Sequence, residues 1–218
     1  MSDVTQHILN VIEEASTQCL MTLDEAKVAL RIPPTDASKD AELTMIIEGV
    51  SAQMATFANR VFGYEKVNET FYEIQSKKRL YFSRWPVKKT DIMSMELNGV
   101  DVTDDLSWVL EERKGFIYNP SVWTGTLDVI YAGGYKLPDD APDDLKRAAG
   151  AAIREDYYTF ERGATLSGVR MIAHKQARVM YYPPGQIGAT QQQMGPAGTS
   201  ATWNAVMAVL NHYIRHWV

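Results

Sequence analysis

The sequence predicts an α+β protein, mainly a helical core with an inserted antiparallel β region and a C-terminal helical arm. Three patterns carry this prediction. Apolar residues recur every three to four positions before residue 66 and again after residue 142, as on the buried face of a helix. Between residues 67 and 131 the apolar period falls toward two, which is typical of strands. A stretch rich in Gly, Pro and Gln then precedes a last amphipathic segment.

The N-terminal part is predicted to form three helices. The first is expected from Asp3 to Ala15, where the apolar residues Val4, Ile8, Val11 and Ile12 follow helical spacing. A second begins at Thr22, which with Glu25 forms a capping box, and Pro33-Pro34 ends it because proline has no amide donor. The third runs from Lys39 to about Val61, with a stripe made by Leu43, Ile46, Ile47, Val50, Met54, Phe57, Ala58 and Val61.

The β region contains a strong hairpin signal at Asn98-Gly99, because both residues tolerate the positive φ of a type I′ turn. The change of apolar period along the chain divides it into four parts. We expect a helical core from residues 1–66 and 136–163, a β insertion at 67–135, and a flexible linker with an arm helix at 164–218.

The C-terminal elements follow from local signals. Pro142 precedes Asp143 and Asp144, which favour the positive end of a helix dipole, so a helix is expected to start there and to end near Arg162. Residues 183–201 predict a flexible linker with a root-mean-square span of roughly 24 Å. The last helix is expected at 202–217.

Composition limits the class of protein. The single Cys19 excludes an internal disulfide, and the acidic start of the chain does not resemble a secretory signal, so we expect synthesis in the cytoplasm and no membrane segment. Charge is uneven along the chain. Residues 162–218 hold 5 basic and no acidic side chains; taking 5 from 22 leaves 17 basic against 27 acidic before them, a net charge of −10. Such asymmetry suggests a negatively charged partner, although so few charges can also be uneven by chance.

An ordered set of short motifs spans about residues 21–160. The set comprises Met21-Thr22-Leu23-Asp24-Glu25-Ala26-Lys27, Leu30-Arg31-Ile32, then Asp40, Leu43, Ile46-Ile47 and Arg60, Trp85-Pro86-Val87, Trp123-Thr124-Gly125, Leu127-Asp128-Val129-Ile130-Tyr131-Ala132-Gly133-Gly134-Tyr135, and Pro142-Asp143-Asp144-Leu145-Lys146. Together these motifs resemble the head-tail connector (adaptor, or head-completion) proteins of long-tailed bacteriophages. The N-terminal helix and the uncharged stretch before the last helix depart from that pattern.

The resemblance implies a structural virion protein with no cofactor. Subunits of that family form a homo-oligomeric ring, typically dodecameric, under the DNA-filled head. The implied partners are other copies of the chain, the portal protein, the next neck, stopper or tail protein, and packaged double-stranded DNA. The implied location is the virion neck, between head and tail.

Six basic residues fall within 13 positions without an intervening acid: Lys77, Lys78, Arg79, Arg84, Lys88 and Lys89. They are interleaved with Tyr81, Phe82 and Trp85, and cations beside aromatic rings can hold a nucleic-acid backbone. We therefore expect this basic run to contact DNA or an acidic partner. An edge strand that lysines protect from aggregation would look the same in sequence.

The last helix is expected to contribute a subunit or portal interface. Its candidate contact residues are Trp203, Val206, Met207, Leu210, Tyr213, Ile214, Arg215 and Trp217. An isolated helix of about 16 residues is marginal in water, so this one must dock on something. Its own core is the simpler partner; a long linker also permits docking on a neighbouring copy or on the portal.

No catalytic or metal-binding constellation is evident. Phosphate-binding glycine loops and the H-E-x-x-H motif are missing. His212 and His216 lie four apart but lack a third ligand, and the acidic residues Asp139, Asp140, Asp143 and Asp144 are explained by helix capping. We expect no enzyme activity and no bound metal. The rival hypotheses are a DNA-binding accessory protein that uses the basic run, and a small hydrolase with scattered catalytic groups.

Overall fold

The computed structural model describes residues 6–105, 107–166, 169–173, 178–181 and 201–214. Its helices are α1 (Leu23–Leu30), α2 (Asp40–Ala58), α3 (Asp143–Leu166) and α4 (Ala201–Leu210). Its strands are β1 (Gln6–Glu13), β2 (Glu65–Tyr81), β3 (Ile92–Leu97), β4 (Val100–Asp101), β5 (Val109–Glu111), β6 (Phe116–Gly133), β7 (Val169–Ala173) and β8 (Arg178–Tyr181). The predicted α+β class is confirmed.

The described residues form two compact units. The β unit comprises the described parts of Met1–Leu20, Ser51–Pro142 and Tyr213–Val218, and the helical unit those of Met21–Val50 and Asp143–His212. Helix α2 contributes residues to both. None of the helices in the described part of the chain combines the length and apolar character that a bilayer span requires.

An antiparallel sheet organises the β unit. Its strand order is β1-β2-β6-β3-β4, and β5 also pairs with β6. The two long strands β2 and β6 pair from Glu65 opposite Gly133 to Tyr81 opposite Phe116. The register shifts three times between Phe71 and Arg79. Strands β7 and β8 form a separate two-stranded sheet.

The core of the β unit is one cluster of buried apolar side chains, most of them from β2, β3 and β6. Aromatic rings make up much of it, and the rings of Phe82 and Tyr131 lie 4.4 Å apart between centroids. Each large apolar side chain contributes roughly 1.5–3 kcal/mol when buried. The most deeply buried members are Val67, Ile74, Phe82, Val87, Met95, Ile117, Trp123, Leu127, Val129 and Tyr131.

The predicted first helix is wrong, because β1 occupies this part of the chain. Gln6 lies opposite Tyr72 and Val11 opposite Val67, so β1 is antiparallel to β2. Its side chains alternate, with His7 and Leu9 half-buried and Ile8 and Asn10 exposed. The spacing of its Ile and Val residues satisfied a helical stripe, but β-branched residues also suit a strand, and the edge of β2 supplied backbone partners.

The hairpin at Asn98-Gly99 is confirmed. Leu97 lies opposite Val100, and Asn98 and Gly99 have φ angles of 52° and 79°, both in the left-handed region that this turn needs. The Asn98 side chain also binds the neighbouring strand, because its Oδ1 accepts from Thr126 N at 2.8 Å and its amide donates to Thr124 O at 3.1 Å.

The capping box of α1 is also confirmed. Thr22 Oγ1 accepts from Glu25 N at 3.1 Å, and Glu25 Oε2 accepts from Thr22 N at 2.8 Å. The same Glu25 carboxylate pairs with Lys146 of α3 at 2.7 Å. Within the helical unit, the buried Lys27 ammonium contacts Asp40 Oδ1 at 2.5 Å, which ties α1 to the start of α2.

The segment 164–218 differs from the predicted linker and arm. Helix α3 continues to Leu166, and the β7–β8 hairpin follows it where no strand was expected. The final helix is shorter than predicted, since α4 ends at Leu210. Most of the predicted linker at 183–201 lies outside the described residues.

Replacing Glu25 with Gln tests how much this carboxylate supports the helical unit. Burial acts to raise the pKa of Glu25, but hydrogen bonds from Lys146 and Thr22 outweigh it and leave the pKa below its ordinary value of 4.5. A carboxylate with a lowered folded-state pKa stabilises the fold above its unfolded pKa, and this contribution is lost as the pH falls through the folded pKa. We therefore expect Glu25→Gln to lower the melting temperature at neutral pH and to have little effect in acid.

The matched control is Glu48→Gln, which removes an exposed carboxylate from α2. Melting curves of both variants, recorded from neutral pH down to acid, show whether the stabilisation by Glu25 depends on its charge. A loss at Glu25 that is independent of pH, or an equal loss at Glu48, would contradict the ion pair with Lys146.

Candidate functional site

The first three cations of the basic run lie at the far end of the β2–β6 ladder. Lys77 stands opposite Trp123 and Arg79 opposite Tyr118. Lys78 and Arg79 are exposed, and Lys77 is half-buried. The Arg79 guanidinium lies 5.5 Å from the centre of the Phe116 ring. This end of the sheet therefore presents positive charge beside aromatic rings.

Pairing with β5 extends this surface across a third strand. Val109 lies opposite the same Tyr118 that faces Arg79, so Arg79, Tyr118 and Val109 form one row across β2, β6 and β5. The next row contains Tyr81 and Phe116, whose ring centroids are 5.3 Å apart. Sequence reasoning placed Tyr81 near the cations but missed Phe116 and Tyr118, because only strand register brings them there.

Lys88 and Lys89 are exposed beside the start of β5. The Lys89 ammonium lies 5.0 Å from the centre of the Trp108 ring. Its backbone N–H donates to Glu112 Oε1 at 3.2 Å. A cation over an aromatic face gains about 0.5–1 kcal/mol when exposed, so Trp108 holds Lys89 without neutralising it.

Arg84 of the basic run pairs with a buried carboxylate of its own chain. Its Nε donates to Glu65 Oε2 at 2.6 Å, and its backbone N–H donates to the Tyr131 hydroxyl at 3.1 Å. Glu65 is buried and Arg84 only partly exposed. The charge of Arg84 is therefore neutralised within the chain, and we leave this residue out of the contact surface. Hereafter the cationic end of the sheet means Lys77, Lys78, Arg79, Lys88 and Lys89.

A cluster of hydrogen-bonding groups that the sequence did not predict surrounds Glu69, which is fully buried. Ser83 Oγ donates to its Oε1 at 2.6 Å, and Tyr131 OH and Ser83 N donate to its Oε2 at 2.6 and 3.0 Å. His7 Nε2 lies 3.4 Å from Ser83 Oγ and 3.7 Å from Glu69 Oε1.

This cluster does not have the geometry of a nucleophile and its base. In a catalytic triad the imidazole stands between hydroxyl and acid and uses both ring nitrogens. Here the Ser83 hydroxyl donates directly to Glu69, and the same nitrogen of His7 faces both groups. The donors instead satisfy a buried carboxylate, which would otherwise be costly to bury.

The metal-ligand candidates are not assembled in the described chain. Among the described residues, no group of three or more His, Cys, Asp or Glu side chains is placed to hold an ion. His212 is exposed just after α4, and His216 lies outside the described residues. Asp143 and Asp144 occupy the first turn of α3, where acids favour the helix dipole, and Asp139 and Asp140 lie in the turn before it.

Helix α4 docks within its own chain. It packs against α3, and Val206 and Leu210 are buried. Trp203, Met207 and Ile214 are half-buried. Tyr213 follows α4 and belongs to the β unit, where its ring lies 6.0 Å from that of Phe62. Val206 and Leu210 therefore do not present a free surface to a second chain. Arg215 and Trp217 lie outside the described residues, and exchange of this helix between copies stays a prediction.

Comparisons with known proteins place the fold. No protein-family model and no curated protein sequence matches the chain. Among solved structures, the fold is similar to a chain in the neck of an empty GTA particle computed with C6 symmetry, with a TM-score of 0.54 and 15% identity over 97% of both chains. It is also similar to a chain in the virion of a native gene transfer agent (GTA) particle, with a TM-score of 0.50 and 13% identity over 97% of both chains.

Replacing Arg84 with Ala tests whether this residue, unlike the exposed cations near it, stabilises the fold. Arg84→Ala leaves the Glu65 carboxylate buried without its cation, and breaking such a pair typically costs about 3–5 kcal/mol. The matched control, Lys78→Ala, removes an exposed cation from the same run and is expected to change stability by less than about 0.5 kcal/mol. Urea unfolding at neutral pH measures both, and equally small effects would show that Arg84 does not support the fold.

Proposed function

We propose that this chain is a structural virion protein, a head-tail connector subunit that forms a ring in the neck of a phage-like particle. The observation that carries the proposal is the fold shared with a chain in a GTA particle neck along 97% of both chains. A likeness of that extent covers the helices and the β unit alike. It therefore does not rest on one common supersecondary motif.

The motifs that resemble head-tail connectors support the same assignment independently. They extend over about residues 21–160 and fall on elements that the structure builds, from the capping box of α1 to the start of α3. The motif Leu127 to Tyr135 lies on the last part of β6 and the chain just after it, beside β2 and β3. The motifs that resemble head-tail connectors therefore lie on regular elements of the same fold that resembles the chain in the GTA neck.

The proposed assembly is a homo-oligomeric ring of twelve subunits docked under a portal. The neck structure with the similar chain was computed with C6 symmetry. A ring of twelve identical subunits also obeys six-fold symmetry, so the proposed number is compatible with that value. The proposed location is the virion neck, between the portal and the next neck, stopper or tail protein, after synthesis in the host cytoplasm.

The cationic end of the sheet gives the ring a surface for packaged DNA. It combines exposed ammonium and guanidinium groups with aromatic side chains on adjacent strands. Phosphate contacts of this kind are independent of base sequence, which suits a protein that must retain any packaged duplex. We propose no catalytic role and no cofactor for the chain.

The alternative function is a DNA-binding accessory protein that acts without a ring. The observation in its favour is the same surface, because cations and stacked rings can hold nucleic acid on a single subunit. The two functions differ in assembly. A connector acts as a ring within the particle, whereas an accessory protein binds DNA as a single subunit.

Electron microscopy of the purified chain, alone and mixed with purified portal, tests the connector function. We expect rings with the symmetry of the portal, and we expect the chain to be present in purified particles. A chain that stays monomeric with the portal and is missing from particles would overturn the connector assignment. Tight DNA binding by that monomer would then support the accessory function.

Charge reversal tests the proposed DNA contact. Lys78→Glu combined with Lys88→Glu should weaken duplex binding and lower the slope of log affinity against log salt by about 2, since each lost phosphate contact removes about one unit. The matched control is Arg31→Glu with Arg147→Glu, which makes the same charge change at exposed positions of the helical unit. Equal slopes for the two pairs would remove the cationic end of the sheet from DNA binding.

A further inference from the structure

Strand β1 leaves one side of its backbone open. It lies at the edge of the sheet and, among the described strands, pairs with β2 alone. In an antiparallel pair, the N–H and C=O groups of every second residue point away from the partner strand. Along β1 these groups form a row to which a further strand can add.

The side chains of β1 are unusual for an exposed edge. Ile8, Val11 and Ile12 are 53%, 43% and 48% exposed. Natural edge strands are commonly protected by lysine, proline, an inward-pointing charge or a β-bulge. Gln6 to Val11 contain none of these, and the register of β1 against β2 shifts only after Val11. The imidazole of His7 lies 3.7 Å from the buried Glu69, so it does not guard the open side. A strand with exposed Ile and Val side chains and an edge that is unprotected up to Val11 favours pairing with another strand.

On the other side of the sheet, the short strands β4 and β5 each have a single partner among the described strands, and β5 is the one flanked by several cations. Strand β5 pairs with β6 and, among the described strands, with no other. Its first residue, Val109, is 62% exposed. Exposed cations flank it, with Lys89 over the neighbouring Trp108 ring and Arg113 and Lys114 in the turn that follows.

Acidic side chains lie at the end of β1, where Glu13 also pairs with Lys66 of its own chain, and basic side chains flank β5. β1 ends in Glu13, and Glu14 follows; both side chains are exposed. At the β5 edge the Glu112 carboxylate accepts a hydrogen bond from Lys89 N, while Glu111 is an exposed acid on the strand itself. A carboxylate that approached this edge would therefore meet the flanking cations and not the strand.

We propose that β1 of one copy pairs with the β5 edge of the next, so that the sheet continues from subunit to subunit around the ring. The inference rests on the ring assembly proposed above. A closed ring requires a head-to-tail contact between two different surfaces of each subunit, and an open sheet supplies two different edges. Pairing of β1 with β1 would instead give a two-fold dimer.

Lysine substitution at the β1 edge tests the inference. Ile8→Lys with Ile12→Lys adds the charges that guard natural edges, at positions that face solvent in one subunit, so the melting temperature of the monomer should not change. The variant is expected to weaken ring assembly by at least about tenfold in apparent dissociation constant, measured by mass photometry and electron microscopy. The matched control, Val28→Lys with Met45→Lys, alters side chains 70% and 73% exposed in the helical unit and should still form rings.

Carbodiimide cross-linking identifies the edge that β1 meets. This reagent joins carboxylates to lysines in direct contact, and a ring of mixed ¹⁴N and ¹⁵N subunits distinguishes links between copies from links within one. The pair Glu13 and Lys66, 3.6 Å apart in one chain, supplies the internal standard. We expect links between copies from Glu13 or Glu14 to Lys89 or Lys114.

The outcomes separate this inference from the connector function. The β1 variant (Ile8→Lys with Ile12→Lys) and the control variant (Val28→Lys with Met45→Lys) are compared. If both form rings equally well, or both lose assembly equally, β1 pairing is overturned and the connector function stays in place. Rings without links from Glu13 or Glu14 to the β5 flank would overturn it too. A wild-type chain that forms no ring with or without portal would overturn the connector function and the inference together.

Discussion

The antiparallel pairing of β2 with β6 is the constraint on which the rest of the β unit depends. These strands run beside each other along almost their whole lengths, and each remaining strand of the sheet pairs with one of them or with β3. Trp123, Leu127 and Tyr131 of β6 enter the same core as Val67 and Ile74 of β2. A slip of one residue in this register would turn these side chains to the opposite face, so the burial of the aromatic rings holds the register.

Two buried carboxylates connect this ladder to the chain that follows β2. Glu69 accepts hydrogen bonds from both the backbone and the hydroxyl of Ser83, and Glu65 pairs with Arg84. Buried acids are tolerated only when donors or cations compensate for lost hydration. The segment after β2 is thereby held against the start of the same strand. This geometry removes Arg84 from the exposed cations and leaves Lys78, Arg79, Lys88 and Lys89 exposed, with Lys77 half-buried.

The positive charge of this acidic protein is concentrated where the strands of the sheet bring the basic run together. The part of the chain before residue 162 carries a net charge of −10, yet its basic run is concentrated at one end of the sheet. An acidic protein with a local cationic surface resists non-specific adsorption to nucleic acid and still contacts it where the surface is presented.

Local chemistry allowed the sequence by itself to determine the α+β class, the capping box at Thr22 and Glu25, and the Asn98-Gly99 hairpin. Each depends on residues within four positions of one another, so no distant contact was needed. Only the tertiary structure decided that residues 6–13 form a strand, because their apolar spacing suits a helix or a strand equally and the open side of β2 made the choice. The same holds for the ion pair of Arg84, the rows that bring Phe116 and Tyr118 to Arg79, and the docking of α4 on α3. These features join residues distant in sequence, and their energies come from burial and register, which sequence spacing does not encode.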